Sequence, residues 1–260
     1  MAEAAPAAPR RKRPPPRQAN VEAIEQVTPR VIRVTFKGEE LADFGPPKPG
    51  AHIKLLFVPD GAKWDRHDPE APRPPSRTYT PRRYDRESRC LEVEFVLHGD
   101  GLATGWLRTA KPGDPMYIGG PGGGYDVPPD VSDMVVVADD TAIPGAGTVI
   151  EALPKGCNVT AICEILAPDE QRPLSPAVAV SPKWLPLAGA TAGTLLEREV
   201  AAMAARGGSA HWWIACEANA MRRMRAHLLK ERWIDPARVH TRGYWRLGET
   251  NYPDHDYGND

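Results

Sequence analysis

Apolar and polar positions alternate in short runs over the first half of the chain and then give way to solid apolar blocks separated by helical stretches. VIRVTF (31–36) and LEVEFVLH (91–98) interleave apolar with charged or polar side chains, the period of two that marks a strand with one buried face. HIKLLFV (52–58) predicts a third strand and MYIGG (116–120) a shorter fourth. The breakers GPPKPG (45–50), KPGD (111–114) and GGPGGG (119–124) punctuate them, and short strands at this spacing predict a β-barrel or sandwich. The proline-rich stretch 59–75 reads as a surface loop, and 101–110 has room for one short helix ending before Lys111-Pro112.

Beyond Pro129 the rhythm changes. Residues 131–138 and 158–166 predict buried strands, with a helix over 143–153 between them that Pro144 opens in its first turn. A second helix is expected over 194–205, a strand at HWWIACE (211–217), and a helix over 219–233. In that last helix Asn219 is the expected cap, and Met221, Met224, Leu228 and Leu229 share one face. Strands alternating with helices predict a parallel sheet covered on both sides. The expected organisation is a flexible basic, Pro-rich tail (1–19), a β-barrel domain (20–129) and an α/β domain (130–260).

Composition narrows the function classes. Hydrophobic residues at 41% and charged residues at 26% describe a globular chain, and no apolar run approaches the ~20 residues of a membrane-spanning helix. The N-terminus has basic residues without the apolar segment of a secretory signal, so a cytoplasmic protein is expected. Arg10, Arg11, Lys12, Arg13 and Arg17 make the tail basic and the remainder mildly acidic, and neither nucleic-acid binding nor stable membrane association is expected. Cys90, Cys157, Cys163 and Cys216 lack CxxC or finger spacing and read as core residues in a reducing compartment. His52, His67, His98, His211, His227, His240 and His255 show no HxxxH or HxH, so no metal site is expected.

Three segments carry candidate chemistry. In Arg77-Thr78-Tyr79-Thr80, an arginine two residues before an aromatic on a strand faces the same surface. There the guanidinium fork can grip a phosphate while the tyrosine packs on a flat ring, with Thr80 in reach of a ring nitrogen. In His98-Gly99-Asp100-Gly101-Leu102-Ala103-Thr104-Gly105-Trp106, a glycine turn entering a short helix presents backbone amides that suit a pyrophosphate, to which Thr104 adds a hydroxyl. The 135–144 segment VVVADDTAIP has the strand–turn–helix form expected of a nicotinamide dinucleotide site, although GxGxxG is absent.

Read in order, TYTPRRYD, FVLHGDGLATGW, GPGGGYDVP, ADDTAIP, CEANAMRRMRAHL and RGYWRLG (242–248) resemble the successive blocks of the siderophore-interacting proteins, a ferredoxin-reductase-like family. The resemblance runs from about residue 21 to 248. It implies a β-barrel FAD-binding domain followed by an α/β NAD(P)-binding domain, and an enzyme in which NADPH or NADH reduces FAD and the flavin passes electrons singly to a ferric siderophore. Ferrous iron is held far less tightly by hard oxygen donors, so reduction releases it. No nucleophile or general base is implied, since the flavin carries the chemistry.

By this resemblance Arg77, Thr78, Tyr79, Thr80, His98, Gly101, Leu102, Ala103, Thr104 and Trp106 are expected at FAD, with Trp245 and Tyr244 near the flavin. Asp139, Thr141, Ala142 and Glu217 are expected at the dinucleotide, and Lys54 and Arg246 at the anionic chelate. Arg222, Arg223 and Arg225 read as a solvated helix face. Glu164 favours a ribose hydroxyl and Arg172 a phosphate, leaving the choice between NADH and NADPH open.

Three positions depart from the family pattern: Ala138 and Cys216 stand where glycine is usual, and Gly122 where an arginine is usual. Fourteen residues follow Arg246, too polar and broken for a helix, which favours NAD(P)H over ferredoxin as donor. A general flavin or ferric reductase and a non-catalytic siderophore-binding protein are the alternatives. The oligomeric state stays open, a monomer included.

Overall fold

The computed structural model describes residues 14–59, 61–62, 64–68, 70–203, 209–253 and 256–258. Its first half is an antiparallel sheet of β1 (Arg17–Thr28), β2 (Val31–Lys37), β3 (His52–Leu56), β4 (Ser76–Tyr79), β5 (Arg83–Asp85), β6 (Cys90–Val96) and β7 (Pro115–Gly122). They are ordered β4-β3-β7-β1-β2-β6-β5. The sheet curls until β4 meets β6, where the rings of Tyr79 and Phe95 lie 4.4 Å apart, and it encloses Val34, Phe36, Ile53, Leu55, Leu91, Val93 and Ile118. A short helix, α1 (Leu102–Leu107), plugs one end by resting Trp106 on Phe36, Phe57 and Phe95.

All four strands expected from periodicity form, and β4 carries Arg77-Thr78-Tyr79 as anticipated. The periodic reading passed over β1 and β5. β1 starts at Arg17, so Arg17–Ala19, expected in the tail, pair with β7 instead, and Arg17 is ion-paired to Asp43 at 2.8 Å. The expected tail up to residue 13, and His255, lie outside the described residues.

The second half is a parallel sheet of β8 (Asp133–Asp139), β9 (Asn158–Ile165), β10 (Lys183–Pro186), β11 (His211–Glu217) and β12 (Val239–Trp245), ordered β10-β9-β8-β11-β12. The central strands β8, β9 and β11 bury both faces. Met134, Val136 and Ala138 of β8 pack with α2 (Ile143–Glu151), while Val135 and Val137 pack towards α3 (Thr194–Ala202) and α4 (Ala218–Ala226). A π turn, His227–Glu231, continues α4. The cap of α4 differs from expectation: the carboxylate of Glu217 accepts the Ala220 amide at 2.9 Å, and Asn219 falls inside the first turn. A carboxylate there also complements the helix dipole. Of the α4 arginines expected on a solvated face, Arg223 is exposed and pairs with Glu197, while the half-buried Arg222 pairs with Asp256 and Arg225 reaches the Val239 carbonyl. Among the described residues no helix is long and apolar enough to cross a membrane, and no group of three or more His, Cys, Asp or Glu could hold a metal.

The halves are locked by polar groups buried between them. Arg172 faces Glu94 of β6 at 3.7 Å and Asp140 at 3.5 Å, and Glu94 also takes Arg33 at 2.8 Å. Thr28 donates to Glu170, and Arg82 bridges Glu151 at 2.8 Å and the Leu174 carbonyl at 3.1 Å. Close approach requires glycine on α2. A Cβ on Gly147 falls 2.3 Å from the Leu174 carbonyl and 3.1 Å from the Arg82 guanidinium, and one on Gly145 falls 2.7 Å from the Tyr244 hydroxyl.

Gly147→Ala is therefore expected to destabilise the fold by about 1–3 kcal/mol, the usual cost of overpacking, read as a lowered thermal midpoint. Burial pushes Asp140 from 3.8 up to about 6, against the opposing pull of the Leu166 amide and Arg172. A carboxyl whose folded pKa is raised binds its proton more tightly in the native state. Its contribution to stability is greatest below pH 3.8 and is lost as pH rises through about 6. Denaturation of wild type and Asp140→Asn across this window should show wild type losing ground to the variant as pH rises; a constant difference contradicts the assignment.

Candidate functional site

A cleft of about 770 Å³ runs between the barrel and the C-terminal ends of the parallel strands, with walls from both halves. The barrel wall begins with β4. Antiparallel pairing places Thr78 opposite Lys54 of β3, whose ammonium donates to the Thr78 hydroxyl at 2.6 Å. Arg77, Thr78, Tyr79 and Thr80 all line the cleft. Tyr79 rests one face on Phe95, and burial raises its hydroxyl pKa, so the ring stays neutral.

The glycine turn after β6 forms the next part of the wall. His98, Gly101, Leu102, Ala103 and Thr104 line the cleft, and Gly99 takes φ +52°, a left-handed turn that suits glycine. A Cβ on Gly99 or Gly101 meets nothing within 4 Å. The turn thus faces open space, where a phosphate can approach the backbone closely.

Opposite, the turn after β8 is organised by one carboxylate. Asp139 Oδ1 accepts the Thr141 amide at 3.0 Å, the Thr141 hydroxyl at 2.6 Å and the Ala142 amide at 3.2 Å. Its Oδ2 accepts the indole N–H of Trp245, from β12, at 2.7 Å. Burial raises the Asp139 pKa, and these four donors oppose the rise. One strand further out, Glu164, the last but one residue of β9, lies opposite Asp139 in register. It is 2% exposed, and burial pushes its carboxyl up to about 7. Arg246 closes the rim, paired with Glu249 at 3.0 Å.

Four expected residues, Trp106, Ala142, Glu217 and Lys54, sit away from the cleft lining. Trp106 points into the barrel core, because α1 turns its apolar side to Phe36 and Phe95. Ala142 is fully buried behind the turn it closes, and Glu217 is spent on the α4 cap and the Leu247 amide at 3.3 Å. Lys54 stands behind Thr78. Arg172 is buried between the halves with Glu94 and Asp140, not presented to a ligand. Sequence reasoning missed Arg242 and His52, which line the cleft with a guanidinium–imidazole contact of 2.9 Å. No periodic signal marks a pair 190 residues apart.

The donor set fits a flavin dinucleotide: an aromatic face, an arginine on the same strand, and a glycine turn with open space before its amides. Ala138 and Cys216, where glycine is usual in the resembling family, are fully buried and pack with the helices on the two faces of the sheet. Their side chains leave the turn unobstructed.

Comparison with known proteins agrees with this geometry. Residues 20–125 match the siderophore-interacting FAD-binding domain, and residues 131–248 match the siderophore-interacting protein family. The chain is 33% identical to an uncharacterized protein of Mycobacterium tuberculosis, over 88% of this chain and 90% of that one. It is 29% identical to the NADPH-dependent ferric-chelate reductase of Escherichia coli, over 88% of this chain and 92% of that one. The crystal structure of a siderophore utilization protein from T. fusca superposes with a TM-score of 0.79 at 32% identity, covering 94% of this chain and 98% of that one. With both halves matched in order, the chain belongs to the siderophore-interacting protein family and has its ferredoxin-reductase-like fold.

Proposed function

We propose that the protein is an FAD-dependent ferric-siderophore reductase fed by a nicotinamide dinucleotide and working in the cytoplasm. The observation that carries this reading is the shared cleft: the barrel wall suited to a flavin and the Asp139 turn suited to a dinucleotide face one space. The ferric-chelate reductase activity named for the E. coli relative supports it.

In this reading Arg77 holds a phosphate of FAD, Tyr79 packs on its ring system, and the amides of Gly101 to Ala103 receive the pyrophosphate. Bound FAD supplies the redox chemistry, taking a hydride and yielding single electrons. Asp139 keeps the turn rigid by holding Thr141, and Trp245, anchored to the same carboxylate, fixes β12 against the dinucleotide path. Arg246, at the rim, supplies positive charge for the chelate, which is substrate and leaves as ferrous iron and ligand. Single-electron transfer to a chelate needs no general base, and none is assigned.

Purified protein should show a flavin absorbance spectrum, directly or after FAD is added. Anaerobic NADH or NADPH should bleach it, and a ferric siderophore should restore it while a ferrous trap colours. Failure to take up FAD, or bleaching with no ferrous iron from any chelate, contradicts the reading. Arg77→Ala should weaken FAD binding about tenfold or more, the worth of a charge-assisted hydrogen bond, measured by flavin fluorescence titration.

A further inference from the structure

We infer that the cleft takes ferric chelates of little or no net charge, the tris-hydroxamate class, in preference to highly anionic tris-catecholates, and that Glu249 sets this preference. The inference rests on the reductase reading and names the substrate class within it. Three hydroxamates cancel the charge of ferric iron, whereas three catecholates leave the complex with three negative charges. Both present hard oxygen donors to the metal, so the charge of the whole complex is what a cleft can read.

The cleft has no cationic excess. Among the described residues that line it, four arginines face six carboxyl groups. Protonation of Asp140 and Glu164, which burial pushes up to about 6 and about 7, brings the two sets only level. The four donors on Asp139 favour its ionised form. Bound FAD adds the negative charge of its pyrophosphate. Three of the arginines are placed for other work. Arg77 holds a flavin phosphate in the reductase reading. Arg242 is 4% exposed, against His52 at 2.9 Å. Arg30 lies in the β1–β2 turn, where its carbonyl takes the Leu97 amide beside the glycine turn. The Lys54 ammonium stands behind Thr78, to which it donates at 2.6 Å.

Arg246 is the cation at the rim, and its charge is matched on the spot. The chain turns back after β12, with the Glu249 amide donating to the Arg246 carbonyl at 3.0 Å. That turn brings the Glu249 carboxylate to 3.0 Å from the guanidinium. The two side chains are 45% and 46% exposed, so they meet an incoming complex as well as each other. The turn is held from behind. Residues 248–252 line the cleft, and the Tyr252 hydroxyl donates to Asp256 at 2.6 Å. Asp256 is buried, accepts Arg222 at 2.8 Å, and takes the Gly243 amide of β12 on its backbone carbonyl at 2.9 Å. Glu249 is therefore a built part of the mouth. Arg246 can donate to a chelate oxygen, while Glu249 repels a complex that carries net negative charge.

The test is calorimetric titration of the oxidised, FAD-loaded full chain with an uncharged ferric tris-hydroxamate and, separately, a ferric tris-catecholate, at low and high salt. With no electron donor present, binding is read apart from turnover. The tris-hydroxamate should bind at least about tenfold tighter at low salt. Glu249→Gln should tighten the tris-catecholate about three- to tenfold and leave the tris-hydroxamate within about twofold, a gain that fades at high salt as the charges are screened. Equal or tighter binding of the tris-catecholate to wild type overturns the inference and leaves the reductase reading standing. A Glu249→Gln variant that moves both complexes alike, or neither, does the same. Binding of neither complex to wild type overturns the inference together with the chelate as substrate. The wild-type ratio decides the matter even if the variant does not fold.

Discussion

Arg172 carries the constraint on which the cleft depends. Its guanidinium is buried between a carboxylate of the barrel, Glu94, and one of the α/β sheet, Asp140. A charge removed from water needs its partners, and removing one from such a pair costs about 3–5 kcal/mol. Because the partners come from different halves, replacing either carboxylate would leave the guanidinium buried at the junction without that partner. Glu94 is itself held by Arg33, so signs alternate from the β2–β6 face of the barrel to the Asp140 turn. The same turn carries Asp139. Domain orientation and the shape of the nucleotide turn are thus set by one connected group of charges.

Around that lock the two cleft walls divide the work. The barrel wall is mainly aromatic and backbone, with Tyr79 backed by Phe95 and the glycine turn open to space. The sheet wall is carboxylate-rich: Asp139, Asp140 and Glu164 lie at the ends of adjacent strands, each with its pKa raised by burial. Three desolvated acids this close are expensive in a structure that does not use them. Asp139 is used within the protein, by Trp245 and Thr141, and Asp140 by Arg172 and the Leu166 amide. Glu164 is used by the Gly193 amide that leads into α3.

Much of this was legible in the sequence. Alternation revealed β2, β3, β6 and β7, and apolar blocks revealed β8, β9 and β11, because those strands bury whole faces. β1 escaped because QANVEAIEQVT buries few of its side chains, so its exposed acidic positions obscure the period. β10 and β12 are the sheet's edges, one short and ending in proline, the other mixed in polarity. The segments lining the cleft were identified as peptides, but the directions of their side chains were not. Trp106 lies in a motif that faces the cleft and yet points into the core. Glu217 reads as a site residue and acts as a helix cap. Arg172 sits in a proline-flanked loop, and its role depends on Glu94, 78 positions earlier. Such contacts between halves leave no mark on local periodicity.

The central claim is that one cleft, walled by both halves, seats the flavin where a dinucleotide can reach it. A crystal structure of the FAD-loaded protein tests this most directly. The account predicts the isoalloxazine beside Tyr79, the pyrophosphate before the Gly99–Ala103 amides, and Arg172 still between Glu94 and Asp140. A flavin bound elsewhere, or halves rotated so that Arg172 loses either carboxylate, would contradict it.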